Sequence, residues 1–559
     1  MTKKLNGKNK FLFIVESPSK IKTLSKILNN SGHSFLFLAT FGHIKDLPIK
    51  SMGINPHTFD PYLEVLNSKR AVLSKLKKLL SSVNKIYIAT DPDREGEAIG
   101  YHLLEYIQKN QPFPLEIKRI ELREITEIGI KNAFNNLRDI DENLYTAWKA
   151  RRVLDRLIGY KVSPFLSKNF KKALSAGRVQ SPALRLITER EKEIETFRPE
   201  KSYSLMVIAE SSSGECFEIE LFSKKELLKT KNSEGLLEIF KEYLEGKEIE
   251  LSSIKDKTLK KYPPQPLKTS TLIEVAGKFL GLSPKETMKI AQTLYEEGYI
   301  TYMRTDSTRV SPLAKKEAKA YIERLFGKEY VGGERKVKLS AHAQDAHECI
   351  RPTQILRQTP PIGKRERALY ELIKRIFLAS QMREAIYAER MYVFKNAYLP
   401  KDLKLILKRQ KLVFDGYLLL LGREEKEDKD FPDLREGDLL KIKGYKIKEH
   451  ITKPPERYTP QSLIKKLEAL GIGRPSTYAS MLDILFTRGY IEEEGRYLKP
   501  TELGRRVCEF LERVTPLFMD YQFTANLEKA LDEIAEEKRS YYSTVKEVFE
   551  ILEGYLSKR

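Results

Sequence analysis

Cysteine is almost missing from this chain. Three occur in 559 residues, Cys216, Cys349 and Cys508, far apart and in no CxxC pair. That excludes a disulfide framework and a cysteine-based zinc ribbon within these residues. Long apolar runs are missing too. None reaches the roughly 18 residues of a membrane span. Phe11–Val15, after the basic and polar Met1–Lys10, is too short for a signal-peptide core. A cytoplasmic protein with no membrane partner is therefore expected. No G-x-x-x-x-G-K-[ST] loop occurs, so the chain shows no ATP motor of its own. Acid is in deficit: 100 Lys+Arg stand against 78 Asp+Glu, a formal charge of +22 and a pI near 9.4. That bias points to a polyanionic partner, nucleic acid before a membrane surface. What is present is ample for several packed cores: 41% hydrophobic residues, with 28 Tyr and 25 Phe.

Two buried strands end in acids. Phe11–Val15 runs into Glu16-Ser17-Pro18-Ser19-Lys20 and a helical pattern. Lys85–Thr90 runs into Asp91-Pro92-Asp93-Arg94-Glu95-Gly96-Glu97. In a parallel α/β sheet, the carboxyl ends of strands are a site address. Three acids at alternate positions repel one another unless a cation sits among them. Mg²⁺ suits such hard oxygen ligands, with Asp91, Asp93, Glu95 and Glu16 as candidates. The bland alternative is an acidic helix N-terminus with Arg94 as its partner. Between the two strands, His43 lies in a turn-rich loop, free to touch a phosphate or a loop carbonyl.

From Lys149 to Arg178 nine Lys/Arg stand against one acid, Asp155, with Tyr160, Phe165 and Phe170 interleaved. Charge for a backbone and rings for bases are what a single strand needs. Solvated basic helix faces usually carry acids at i±4, and here they are nearly absent. Ser175–Ser181 follows, small enough for close backbone approach to a ligand. Strand-like stretches at Tyr203–Ile208, Tyr392–Phe394, Leu403–Leu407 and Tyr417–Leu421 fall in two segments, which predicts one β-rich connector crossed twice.

An internal repeat is visible. Thr271–Ile300 and Ser462–Ile491 are both 30 residues long, offset by 191, with seven identities in register. Each reads helix, turn, helix, then Gly-Tyr-Ile entering a strand, which predicts a helix-turn-helix with a wing. The first copy continues into Tyr302-Met303-Arg304-Thr305-Asp306; the second has Glu493 where the first has Tyr302. On a strand, Tyr302, Arg304 and Asp306 share a face. A guanidinium there favours phenolate and can hold a phosphate, which suits a tyrosine attacking a phosphodiester. The second copy is expected to grip the backbone through Gly473–Tyr478, with Arg474, Ser476 and Thr477. In Ala346–Thr353, Arg351 is expected one helical turn after His347, so that both meet a phosphate.

With these motifs in this order, the chain resembles the type IA DNA topoisomerases, the bacterial topoisomerase I group. The markers are Val15–Lys20, Gly42-His43 through Pro48, Thr90–Glu97, Ala150–Tyr160, Ser175–Ser181, Tyr299–Ser307, Ala346–Pro352 and Gly473–Tyr478. The resemblance implies a multidomain α/β, α and β fold: a four-domain toroid with a Toprim α/β domain (1–150) and two winged-helix-like helical domains. One of these is the DNA-binding domain (151–196 and 456–559), the other a gate domain with the catalytic tyrosine (262–387). A β-rich arch (197–261 and 388–455) joins them. It implies that Tyr302 attacks phosphorus and keeps a 5′-phosphotyrosine, that Arg304 and Lys20 support the transition state, and that Glu16 protonates the leaving 3′-oxygen. His347 stands with these catalytic residues. Arg151, Arg152, Asp155 and Tyr160 correspond to strand-binding positions, joined by His43, Ser167, Ser175, Gly177, Arg178, Gln180, Arg304, Arg351, Arg474, Ser476, Thr477, Arg488 and Gly489. The implied enzyme is ATP-independent and needs Mg²⁺. It works as a monomer near the nucleoid, cuts one strand, passes another strand or duplex, reseals, and relaxes negative supercoils. Two alternatives remain: the topoisomerase half of a split reverse gyrase with a helicase partner, and a non-catalytic single-strand-binding scaffold. Thr40-Phe41 stands where the resemblance implies a smaller pair before Gly42, and Cys349 where it implies a small alanine; neither is expected to affect the chemistry.

Overall fold

The computed structural model describes residues 10–29, 33–333, 347–357, 362–423 and 430–557. Residues 1–9 of the basic N-terminal stretch and Ala346 of the His347 motif lie outside them. Among the described residues no helix is long and apolar enough to cross a membrane.

The N-terminal unit is a parallel sheet. β1 (Lys10–Val15), α1 (Pro18–Leu28), β2 (Ser34–Ala39), β3 (Lys85–Ile88), α2 (Arg94–Asn110) and β4 (Glu116–Arg119) follow in order. The strand order β2-β1-β3-β4 puts β1 at the switch point of the winding. There the connections leave in opposite directions and open a crevice. Glu16 leaves β1 and Asp91 follows β3 on either side of it. Ser17 caps α1 with Pro18 in its first turn, and Asp93 caps α2 by accepting from the Gly96 amide at 2.9 Å. Only glycine fits at 96, because a Cβ would lie 2.0 Å from the Asp91 carbonyl. That tight turn is why Asp91 and Asp93 stand together.

α3 (Glu142–Phe170) runs straight through the boundary expected at 150, and α4 (Gln180–Thr196) follows. β5 (Lys201–Glu210), β6 (Cys216–Ser223), β7 (Glu226–Leu227) and β8 (Glu248–Lys261) begin the β-rich unit. Next come α5 (Thr269–Leu280), α6 (Pro284–Glu296) and α7 (Lys364–Ser380). β9 (Ala385–Lys395), β10 (Leu403–Phe414) and β11 (Leu439–Ile451) return to the same sheet. β9 crosses the boundary expected at 387. The order is β10-β9-β8-β11-β5-β6-β7, and β10 also pairs with β6, so the sheet closes on itself. The connector crossed twice is borne out. Tyr417–Leu421 is not part of it: after a turn at Gly416 (φ 50°), Leu418–Leu421 is a short helix.

The repeat is real in three dimensions. α8 (Pro460–Ala469) and α9 (Tyr478–Thr487) match α5 and α6, and β12 (Ile491–Glu494) with β13 (Tyr497–Pro500) forms the second copy's wing. Gly298 and Gly489 both turn at positive φ, 77° and 68°. After each, a threonine closes the unit in the same way. Thr353 Oγ1 donates to the Gly298 and Tyr299 carbonyls at 2.7 and 3.3 Å. Thr501 Oγ1 donates to those of Gly489 and Tyr490 at 2.7 and 3.2 Å. In the second copy the intervening chain is a hairpin, Ile491 opposite Pro500. In the first, Ile300 still bridges Pro352, but the wing has been opened by a long insertion. The chain does not continue as a strand. Tyr302–Ser307 is an irregular loop, tied by Tyr302 N–H to the Arg123 carbonyl (3.0 Å) and by Thr269 Oγ1 to the Met303 carbonyl (2.7 Å). The expectation of a shared strand face fails at this point, since extended pairing stops at Ile300.

The two copies face each other about a local pseudo-twofold. Ser270 Oγ donates to Glu468 at 2.7 Å, and the side chain of Gln461 lies against Gly277. At the 191-residue offset Gln461 is the counterpart of Ser270, and Glu468 that of Gly277. Glu274 pairs with Lys465, its own counterpart, at 2.9 Å. Toward the C-terminus lie two helices, α10 (Tyr521–Ala535) and α11 (Tyr541–Leu556), with Glu537, at φ 59°, in the break between them.

Candidate active site

The opened wing delivers Tyr302 to the crevice of the parallel sheet. Its hydroxyl donates to Asp93 Oδ2 at 2.5 Å, across 209 residues of sequence. The ring is 3% exposed. Burial, then the charges of Asp93 and Asp91, raise the phenol well above its usual range; Arg304 pulls the other way and loses. Here the guanidinium does not make a phenolate, contrary to expectation. Tyr302 is instead a neutral donor whose proton already points at a carboxylate.

Arg304 Nη1 lies 3.5 Å from Asp93 and 3.9 Å from Asp91. Lys20, with no exposed surface, makes a buried ion pair with Asp91. Glu16 accepts from the Asp91 amide at 3.0 Å. Burial, with Asp91 and Asp93 alongside, pushes its carboxyl up to about 7 against the opposing pull of Lys20. His347 packs at 6.0 Å between ring centroids from Tyr302. Burial lowers its basicity.

The fourth acid goes elsewhere. Glu95 accepts from His43 Nε2 at 2.9 Å, from the Trp148 indole at 2.8 Å and from Arg151 at 3.2 Å. Burial would raise its pKa, but the His43 hydrogen bond and the Arg151 charge outweigh it and hold it at about 2. Among the described residues no three acids or other donors converge as a ready metal cluster. Glu16, Asp91 and Asp93 still fit a hard cation. Burial first, and then the charges of Asp91 and Asp93, push the Glu16 carboxyl up, and a cation among the three would offset that repulsion. Glu95 instead turns to His43 on the loop and to Trp148 and Arg151 on α3.

The long basic run is not a bare cationic face. Tertiary structure supplies the acids that its own sequence lacks. Lys149 meets Asp60 and Arg152 forms a two-pronged pair with Asp46 at 2.8 and 2.9 Å. Lys161 meets Glu553. Arg178, 3% exposed, reaches Asp155 at 3.1 Å and Glu528 at 2.6 Å. Phe165 and Phe170 pack on Phe510 rather than waiting for bases. Tyr160 is part-exposed; its hydroxyl bonds the Ile49 carbonyl, and Arg156 lies 4.2 Å over its ring.

One cleft gathers Asp93, Glu95, Arg151, Arg304, His347, Arg474, Ser476 and Thr477, with Glu528 at its floor. Arg151 also touches Ser476 at 3.4 Å, joining α3 to the second helix pair. A different group surrounds the 173–179 loop and the start of α4. Ser167 bonds Leu174, Gln180 bonds Ser175, Arg488 reaches the Ala173 carbonyl, Gly177 N–H donates to Ser181, and Gly489 holds the turn nearby. Arg351 is in neither group. Residues 347–349 are not helical; Arg351 turns to Glu348 at 2.8 Å and Glu124 at 3.3 Å, away from His347.

Sequence reading missed Asp532 and Glu528. Asp532 bridges Arg94, beside the acids, to Arg474, in the second copy. Their spacing of four on one helix was the available signal. It also missed Trp148, the lone tryptophan, which orients Glu95.

Comparison with known proteins identifies the family. A family model described as DNA topoisomerase matches residues 139–546, and one for the Toprim domain matches 11–125. The chain is 44% identical over 555 residues to DNA topoisomerase 1 of Aquifex aeolicus, covering 97% of this chain and 98% of that one. It is 41% identical over 567 residues to DNA topoisomerase 1 of Thermotoga maritima, covering 98% and 85%. A solved structure of full-length topoisomerase I from Thermotoga maritima superposes with a TM-score of 0.84 at 38% identity, over 98% of this chain and 90% of that one. Neither alternative reading gains support from these relatives. With the family matched over most of its length and a tyrosine seated on the Toprim acids, the chain belongs to the type IA DNA topoisomerases, the bacterial topoisomerase I group.

Proposed function

We propose that Tyr302 opens a phosphodiester of a single DNA strand lying in the cleft beneath Arg304 and Arg474. The observation that carries this is the hydrogen bond from Tyr302 to Asp93. As the tyrosine oxygen bonds to phosphorus, its proton passes to Asp93, which is already its acceptor. The 3′-oxygen leaves with the electron pair of the broken P–O bond and takes a proton from Glu16. The 5′-phosphate stays on Tyr302 as a phosphotyrosine, which keeps the bond energy for resealing without a nucleotide. Arg304 and Lys20 meet the charge on the phosphoryl oxygens, and His347 walls the phenol off from water. Glu16, Asp91 and Asp93 would hold a Mg²⁺ ion; when bound, it neutralises the acids and the phosphate during rejoining.

The four units are read as a ring closed at two contacts, Tyr302 on Asp93 and the paired helices α5/α6 on α8/α9. Opening both would part the cut ends for a second strand or duplex. Both halves of the site come from one chain, which supports a monomer. Positive supercoiling only with an added helicase would instead mark a split gyrase half.

The test is a denaturing gel with 5′- and 3′-labelled single-stranded oligonucleotide. The proposal expects a protein adduct carrying the 5′-phosphate side of the cut and none with Tyr302→Phe. An adduct that survives the substitution overturns it.

A further inference from the structure

We infer that Phe41 is a stacking platform for an unpaired base of the bound single strand. This rests on the reading that a single strand crosses Glu16 and Tyr302, and it extends that strand's path beyond the cut.

Phe41 lies two steps from the acid centre: its amide donates to the Glu16 carbonyl at 2.8 Å. Its ring is 59% exposed. Single exposed apolar residues are ordinary, but this one is held in an unusual way. Its φ is 58°, a left-handed conformation that bulky residues seldom adopt. The loop enforces it from both ends. Lys69 Nζ clamps the carbonyls of Thr40 and Phe41 at 3.1 and 2.5 Å, and Thr40 N–H is tied to the Val15 carbonyl at 2.9 Å. Backbone strain retained next to a reaction centre is a pointer to function. A glycine would take this conformation freely, yet the chain places an aromatic ring there and turns it to solvent.

The surroundings suit nucleic acid. The Lys69 ammonium lies 5.9 Å from the ring centroid, a cation for a phosphate beside a ring for its base. Downstream the loop lies along α3: Asp46 holds Arg152, and the Ile49 carbonyl holds Tyr160. A strand following the loop away from Glu16 therefore meets Phe41 first and then the part-exposed Arg152 and Tyr160. Base–aromatic stacking is tolerant of sequence, because every base has a π-face. The platform would grip any base.

The test uses the full chain with Tyr302→Phe, so that cleavage does not confound binding. Anisotropy of a labelled single-stranded oligonucleotide is measured for Phe41, Phe41→Gly and Phe41→Trp. Phe41→Gly is expected to weaken binding about tenfold, while Phe41→Trp stays within about twofold. An abasic site moved along the oligonucleotide should cost about tenfold at one position with Phe41 and nothing there with Phe41→Gly. Since glycine relieves the left-handed strain, Phe41→Gly should melt no lower than its parent. Unchanged affinity in Phe41→Gly, identical abasic profiles in both proteins, or a lowered melting point overturns the inference. Adduct formation by the chain with Tyr302 intact is scored separately. If it forms while Phe41→Gly binds normally, only the platform falls; if it does not form, the tyrosine reading falls first.

Discussion

In the second helix pair the chain leaves Gly489, makes a hairpin from Ile491 to Pro500 and closes on Thr501. In the first it leaves Gly298, bridges Ile300 to Pro352 and closes on Thr353, with Tyr302, Arg304 and the helix Pro312–Phe326 between. The frames match down to individual hydrogen bonds. The closed wing ends in exposed glutamates, Glu492–Glu494, while the opened one buries a tyrosine against Asp93. An opened wing therefore makes a nucleophile by reaching a second unit, not by any change in its own helices. The second pair does something different, presenting Arg474, Ser476 and Thr477 to the same cleft.

This contrast can be broken most directly at the tyrosine. Tyr302→Phe should abolish the adduct, and adding Glu493→Tyr at the equivalent register should not restore it. On the closed wing that position is paired into the hairpin opposite Leu498 and is exposed. An adduct at residue 493, found by peptide mapping, would show that position in the repeat matters more than the partner unit. Next in size, Asp93→Asn removes the acceptor of the tyrosine proton. Single-turnover cleavage should slow by roughly 10²- to 10⁴-fold, the usual worth of a positioned base.

The second pair's grip is tested at Glu528, which is 1% exposed. Burial would raise its carboxyl, but Arg178 and then Arg474 and Arg151 hold it at about 2. Glu528→Gln leaves the buried Arg178 with Asp155 as its one carboxylate partner and should cost up to about 3–5 kcal/mol in denaturant unfolding. The sign with pH follows from the depression. The stabilisation is complete above the ordinary glutamate range and is lost as pH falls from about 4.5 toward 2. Acid unfolding of the Glu528→Gln chain should lack that component.

The seam between the copies is the smallest effect. Glu274 and Lys465 are 37% and 61% exposed. Glu274→Lys should weaken the contact by less than ~1 kcal/mol, less still in high salt, and Lys465→Glu added to it should recover the loss. A double-mutant cycle on thermal stability measures this. A large coupling would mean that the seam, and not the tyrosine contact, holds the two copies together.

Much of this was legible in the chain. The strand-then-acid pattern at Glu16 and Asp91, the repeat at offset 191 and the twice-crossed β unit depend on local periodicity and on short turns, which neighbouring residues set by themselves. The surroundings of Glu95 were hidden for the opposite reason. Its partners, His43, Trp148 and Arg151, arrive from distant segments, and charge spacing along a chain says nothing about who approaches from outside. The basic run at 149–178 misled in the same way, since Asp46, Asp60, Glu528 and Glu553 are invisible as partners until the helices pack.

By itself the sequence determined that a tyrosine beside an arginine and two strand-end acid groups exist, because residue type and short-range spacing are properties of the chain. Only the tertiary structure decided that Tyr302 is a buried proton donor to Asp93, and that Glu95 meets His43, Trp148 and Arg151. Ionisation depends on burial and on charges within a few ångströms, and those neighbours are separated by tens to hundreds of residues.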